Sequence, residues 1–394
     1  MGDGAFGFRV TATDGAARCG RMTTPHGAID TPAFMPVGTA GAVKGLTPRD
    51  LDDLDAGIIL ANTYHLHLRP GDELIARQGG LHRFMGWNRP ILTDSGGYQV
   101  FSLAARRVID EQGVRFRSHL DGSEQTLTPE SVADIQARLG SDIAMAFDEC
   151  TPWPVTESVA RESMERTLRW AERSRERHAR LRGSPAGAGA MMTTRGQAQF
   201  GIVQGGMFRA LREESARATV ALDFDAYAIG GLSVGEPIDT MYGMTAATTT
   251  CLPEDRPRYL MGVGTPPDLV ESVARGVDLF DCVLPTRNGR NGQLFTRTGP
   301  ISIKGASFAE DDRPVDAECG CYTCRGFSRA YLRHLRVAGE MTGAVLNTVH
   351  NLHFYLDTME RIRDAIRSGR FERFRQAFHH AYAGGPSAYA GMLQ

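Results

Sequence analysis

Cys319-Gly-Cys321-Tyr-Thr-Cys324 places three thiols within six residues, and 25 residues intervene before His350. Thiolate and imidazole are ligands that zinc prefers. One short loop can supply three corners of a tetrahedron and a following helix the fourth. A site closed by four protein ligands leaves no position for water or substrate, so one zinc per chain is expected here as a structural ion, with the chemistry elsewhere. His334 and His353 are also within reach as fourth ligand. The competing readings are chance clustering and disulfides. Cys19, Cys150, Cys251 and Cys282 are scattered without an even framework, and Met1-Gly-Asp-Gly lacks the basic and apolar regions of a secretory leader. A cytoplasmic chain keeps its thiols reduced, which favours metal over disulfide.

A second group of residues has the types needed for bond cleavage. Asp94, Asp148 and Asp281 each follow a short apolar run, as does Gln204. Two carboxylates meeting in one pocket can divide labour, one as nucleophile and the other as general acid/base. A single Asp after a strand is more often a helix cap or loop former. Three at equivalent places favour a shared polar floor. Asp94 lies in Thr93-Asp94-Ser95-Gly96-Gly97-Tyr98-Gln99, where the glycines permit close approach of a ligand and Tyr98 offers a ring for a planar base. Arg287 and Arg290 follow Asp281 closely, where phosphates of a large substrate could lie. Their ordinary role would be a solvated loop.

These residues need a scaffold that brings distant segments to one place. Eight apolar runs end in Gly, Asp, Asn or Gln: 33–37, 57–61, 90–93, 143–147, 200–203, 227–229, 258–261 and 277–280. Runs apolar on both faces read as strands of a parallel sheet. Eight of them separated by helical patterns predict an α/β fold, a (β/α)8 TIM barrel, whose strand C-termini converge on one mouth. An open doubly wound sheet would give similar runs, so the count and the placement of polar residues decide. Helices are expected over 157–182 and 266–274, and a hairpin over 114–127 around Asp121-Gly122. The Gly- and Ala-rich segment 184–190 reads as a flexible loop. Residues 1–394 are expected to form a single barrel domain, with a zinc-binding subdomain at roughly 300–350 inserted after the eighth strand.

Composition sets bounds. The 394 residues carry a formal net charge of −2, with 42% hydrophobic and 23% charged residues. These values describe a soluble globular chain with no apolar stretch long enough for a membrane span. They do not advertise a polyanion partner, although a local basic patch suffices for one. The basic residues are nearly all arginine, with only Lys44 and Lys304 as exceptions.

The motifs together resemble those of the queuine/archaeosine-type tRNA-guanine transglycosylases, and specifically the bacterial enzymes. The matching pieces are Thr93–Gln99, Phe147-Asp-Glu-Cys150, Ile202-Val-Gln-Gly-Gly206, Ile229-Gly-Gly-Leu-Ser-Val-Gly-Glu236, Tyr259-Leu-Met-Gly-Val-Gly264, Phe280–Arg290 and the Cys3His segment. They occur in the family's order from about Phe8 to the last helix. The resemblance implies a barrel with a late zinc subdomain, which exchanges guanine at the wobble position of tRNA for a deazaguanine base. It implies Asp281 as nucleophile on the ribose C1′, Asp94 as general acid/base, and Ser95, Asp148, Cys150, Gln204, Gly231, Leu232 and Met261 around the base, with Tyr98 stacking. It implies Arg287 and Arg290 on the anticodon loop, and a homodimer formed near Phe327, Tyr331 and His334. Breakage of an N-glycosidic bond through an oxocarbenium-like state fits a carboxylate on the sugar face. The base must first leave its stack. Ser233 departs from the usual bacterial Ala, whereas Cys150 and Val234 follow the bacterial pattern. The reading is therefore insertion of preQ1 (7-aminomethyl-7-deazaguanine), with queuine as the alternative. A non-catalytic RNA-binding subunit would have no need of the three aspartates, and a hydrolase with catalytic zinc would need an open metal site.

Overall fold

A computed structural model describes residues 6–103, 107–183 and 192–383. Eight parallel strands form the centre: β1 (Ala33–Pro36), β2 (Ile59–Ala61), β3 (Ile91–Thr93), β4 (Ile143–Met145), β5 (Ala198–Val203), β6 (Ala226–Ile229), β7 (Arg258–Leu260) and β8 (Leu279–Cys282). Sequential strands pair from β2 to β8, and β8 returns to β1 with Leu279 opposite Ala33. A parallel bridge between Val37 and Leu60 joins β1 to β2 and closes the barrel. All eight expected strands are present.

Residues alternate as closure requires. Met35, Leu60, Leu92, Ile143, Met145, Phe200, Ile202, Tyr259 and Leu279 fill the interior. Phe34, Ile59, Ile91, Ile229 and Phe280 face the surrounding helices. An antiparallel sheet of Gly7–Asp14, Ala17–Thr24 and Gly27–Thr31 adds Met22 and Ile29 to that interior. Phe6 meets Phe200 edge-on with ring centroids 5.7 Å apart. The amino-terminal end of the barrel interior is thereby filled with apolar side chains, and Asp94, Asp148 and Gln204 follow strand C-termini at the other end.

Several strand limits differ from expectation. β4 stops at Met145 because Phe147 turns outward and stacks on Trp170, with centroids 4.9 Å apart, so its apolarity serves a helix contact rather than the strand. β5 starts before Phe200, with the polar Gln199 buried in the wall and its Nε2 donating to Ser174 O. β8 runs through Asp281 to Cys282 instead of ending at Phe280.

The expected helices are Glu157–Arg182 and Pro266–Val273, the second capped by Thr265, whose hydroxyl accepts from Asp268 N. Val114–Arg117 and Glu124–Leu127 form the hairpin, with Arg107–Ile109 as a third strand. The segment 184–190 lies outside the described residues.

After β8 come a helix at Leu284–Asn291, a hairpin of Gln293–Thr296 and Gly299–Ser302, helices at Tyr322–Gly326 and Arg329–Ala338, and the long helix Met341–Arg367. The long helix contributes His350 to the cysteine cluster and Tyr355, Met359, Ile362 and Ile366 to the barrel's outer core. One rigid element thus joins the metal-ligand group to the barrel.

Candidate active site and metal centre

Asp94 follows β3 and is nearly fully buried at the mouth. Thr63 N donates to its Oδ1 at 2.9 Å, and Asn62 Nδ2 donates to Oδ2. Thr63 Oγ1 also holds the Asp94 carbonyl at 2.6 Å. Burial pushes the carboxyl up to about 7 despite these donors, and the charge of Asp281 adds to the rise. A group poised there can give and take a proton near neutral pH.

This shift has a consequence for stability. The unfolded carboxyl ionises near the usual carboxylate range, while the folded one stays protonated until about 7. The folded state therefore binds the extra proton, and stability is lost as pH rises through that window. The melting temperature of Asp94→Asn, relative to the unsubstituted protein, is expected to be higher at pH 8 than at pH 5. Comparing the same pair at two pH values cancels the pH-independent cost of the substitution. A difference that does not change with pH would show that Asp94 titrates normally.

Asp281 sits within β8. Tyr259 Oη donates to its Oδ1 at 2.6 Å and Gly262 N to the same oxygen at 2.8 Å. Burial raises its pKa as well. Both donors converge on Oδ1, so the carboxylate is held in one orientation with Oδ2 outside that pair.

Asp148, three residues beyond β4, accepts from Ser95 Oγ on Oδ1 and from Gln204 Nε2 on Oδ2, both at 2.8 Å. Its pKa is raised, chiefly by burial. The Gln204 amide is set by glycines on the next loop: a Cβ on Gly231 would stand 2.3 Å from Gln204 Oε1, and one on Gly230 would stand 2.7 Å from Nε2. Gly231 also has φ +64°, the left-handed region. Cys150 is buried nearby with its thiol pushed up to about 12 by burial, Leu232 is buried, and Met261 is half-buried against the barrel interior. Tyr98 is 52% exposed at the start of the helix Gly97–Leu103. Glu236 clamps the loop between, accepting from Ser233 N at 2.5 Å and Val234 N at 2.8 Å. Ser233 itself is exposed.

Arg287 is exposed and Arg290 half-buried on the helix that leaves β8. That helix lies tight against Met341–Arg367: a Cβ on Gly289 would come within 3.0 Å of Asn347 and Thr348 backbone. Asn347 Nδ2 donates to Gly289 O, and Asn351 Nδ2 to Pro285 O and Gln293 O. The two arginines are therefore positioned through the helix that also carries His350.

Cys319, Cys321, Cys324 and His350 form a group able to hold a metal ion, their ligand atoms within 4.8 Å of one another. The Sγ atoms lie 3.8, 3.6 and 3.3 Å from His350 Nδ1. His350 Nε2 is 2.7 Å from Phe295 O. A carbonyl only accepts, so the proton belongs on Nε2 and the Nδ1 lone pair faces the thiols. His353 Nδ1 reaches only Cys319, at 3.6 Å, and His334 stacks near Tyr331 instead.

Sequence reasoning missed the groups that set these acids. Asn62 ends an apolar run as Asp94 does, a signal that was available. Tyr259 opens the Tyr259–Gly264 motif, but nothing in the sequence tied it to an acid.

Residues 13–384 match the family model described as Queuine tRNA-ribosyltransferase. The chain is 55% identical over 378 residues to a protein of that name from Solidesulfovibrio magneticus, covering 96% of this chain and 98% of the relative. It is 54% identical over 380 residues to one from Thermoanaerobacter sp. strain X514, with 96% and 98% covered. A Syntrophobacter fumaroxidans relative of the same name is 56% identical over 374 residues, with 94% and 96% covered. With motifs, barrel and match spanning nearly its whole length, the chain belongs to the queuine tRNA-ribosyltransferase family.

Proposed function

We propose that this chain exchanges the wobble guanine of tRNAs with GUN anticodons for preQ1 through a covalent tRNA–enzyme intermediate. The observation that carries the reading is the unequal pair of acids at one mouth: Asp281, oriented by Tyr259 and Gly262, and Asp94, buried and poised at about 7. An Asp281 carboxylate oxygen attacks C1′ of the ribose, and the glycosidic electron pair leaves with guanine. Asp94 protonates the departing base. The incoming base gives its N9 proton to Asp94, N9 attacks C1′, and Asp281 is released. One glycosidic bond is broken and one formed, so no redox or nucleotide co-reactant is required.

Ser95, Asp148, Cys150, Gln204, Met261 and the Gly231–Leu232 backbone hold the base, with Tyr98 against its face. Asp148 accepts from the N–H groups of the purine edge, and Arg287 and Arg290 take phosphates of the anticodon loop. The metal of the Cys3His group is zinc, one per chain, a structural ion whose ligands fit it and which takes no part in the exchange. We read the whole chain as one barrel domain, with 300–350 as the inserted subdomain. The cytoplasm, where tRNA is processed, is its compartment. A second copy of the chain is the partner: Phe327 and Tyr331 stack with centroids 5.5 Å apart, and Tyr322, Tyr331, Val337 and Met341 nearby are exposed. Among the described residues no helix is long and apolar enough to cross a membrane.

The test is incorporation of labelled bases into purified tRNA. Guanine and preQ1 are expected to enter and queuine to be excluded, with Val234→Gly admitting queuine at some loss of preQ1 efficiency. Efficient queuine insertion by the unsubstituted protein would replace the preQ1 reading by the queuine one. Incorporation of no base would leave a non-catalytic RNA-binding subunit.

A further inference from the structure

Arg212 is a cation with no exposed surface. It lies on the helix Arg209–Ala221 behind β5, and among the described residues it forms no ion pair. Its partners are three backbone carbonyls. Nε donates to Gly206 O at 2.7 Å, and Nη2 donates to Gly230 O at 3.0 Å and to Gly231 O at 3.3 Å. Nη1 is buried without a partner. One guanidinium thus ties the two diglycine loops that follow β5 and β6. The chain makes room for it: a Cβ on Gly205 would stand 3.1 Å from Arg212 Cγ and closer still to its backbone.

The two carbonyls held by Nη2 belong to consecutive peptide units, Gly230–Gly231 and Gly231–Leu232. Neither is a cis unit. In a trans peptide the N–H points opposite to the C=O. Fixing both carbonyls on the buried guanidinium therefore aims Gly231 N–H and Leu232 N–H the other way, from the interior toward the half-buried face of the loop beside Gln204. Among the described residues neither N–H has an acceptor, whereas the next two, Ser233 N and Val234 N, are both satisfied by Glu236. Two adjacent unspent donors, backed by a buried cation that makes no direct ion pair, form a site for an oxygen that carries or gains negative charge. A hydrogen bond at the carbonyl end of a peptide also strengthens its N–H as a donor.

We infer that Arg212 is a positioning residue that presents the Gly231 and Leu232 amides to the carbonyl oxygen of the purine base. The inference rests on the proposed base exchange. When the glycosidic bond breaks, the departing guanine gains negative charge that spreads to its O6, and donors fixed in advance stabilise it. Arg212 touches neither base nor sugar and acts through the two peptide units.

Arg212→Lys keeps the charge and loses the fork, while Arg212→Gln loses both. For Arg212→Gln, kcat/KM for guanine is expected to fall about 10- to 100-fold, from weakened charge-developing hydrogen bonds. KM for guanine rises and KM for tRNA is unchanged; Arg212→Lys falls between. A merely structural role would lower the fraction of active sites and kcat without moving the KM for guanine alone. Guanine binding to the unsubstituted protein, labelled with 15N-glycine and 15N-leucine, should shift the Gly231 and Leu232 amide protons downfield, a measurement that does not depend on how the variants fold. Unmoved amides, or a KM for guanine unchanged in both variants, would overturn the inference while leaving base exchange intact. An unsubstituted protein that exchanges no base would instead remove the proposed function.

Discussion

Asp281→Asn is expected to abolish base exchange and the covalent complex with tRNA, a loss of about 1,000-fold or more, as for removal of a nucleophile. The substitution is nearly isosteric. The carboxamide oxygen can still accept from Tyr259 Oη and Gly262 N, so the local geometry at β8 is retained. Burial disfavours the ionised carboxylate, so its replacement by a neutral amide is not expected to lower the melting temperature. A denaturing gel of enzyme mixed with tRNA and a base-competitive inhibitor reads the covalent species directly. A shifted band of undiminished intensity in the variant would take Asp281 out of the nucleophile's role.

Cys321→Ser, or removal of the metal by a chelator, is expected to lower the melting temperature by at least about 5 °C, because metal-binding free energy at a structural site is folding free energy. The reason is specific to this fold. Leu294, Ile303, Val315, Leu332, Leu335 and Leu346 form a small separate core around the cysteines. Its apolar area is limited, so the ligand group must hold it together. Loss should also spread along Met341–Arg367, whose Asn347 and Asn351 position the helix of Arg287 and Arg290. Weakened tRNA binding with near-normal guanine binding is therefore expected in any variant that still folds. Metal analysis should return about one zinc per chain, as four ligands imply. A metal-free protein with unchanged melting and full activity would contradict this.

Much of the barrel was legible in the chain because its strands are buried on both faces, and such segments read as short apolar runs without reference to their neighbours. Limits were less legible. Phe147 is as apolar as a strand residue but faces Trp170, and Gln199 is polar but buried in the wall with its Nε2 bonded to Ser174 O. Only the packing partner distinguishes these cases. The cysteines were legible for a related reason: three thiols of the group lie within six residues, so their spacing alone brings them together. His350 was named as the fourth member, with His334 and His353 also within reach, and the fold groups His350 with the three thiols. His350 and His353 are both near, and the choice depends on Phe295 O lying 2.7 Å from His350 Nε2.

The identities of the acids and their places after apolar runs were determined by the sequence. What each acid is able to do was decided by the fold. Asp94 takes its character from Asn62, Thr63 and the charge of Asp281, and Asp281 from Tyr259 and Gly262. Arg212 is an ordinary helical arginine in the chain and a buried carbonyl anchor in the barrel. A periodic pattern records whether a residue faces water or a core, since that repeats along an element. It does not record which group from another strand stands opposite, because that pairing is set by closure of the barrel, where β8 meets β1 and Val37 meets Leu60.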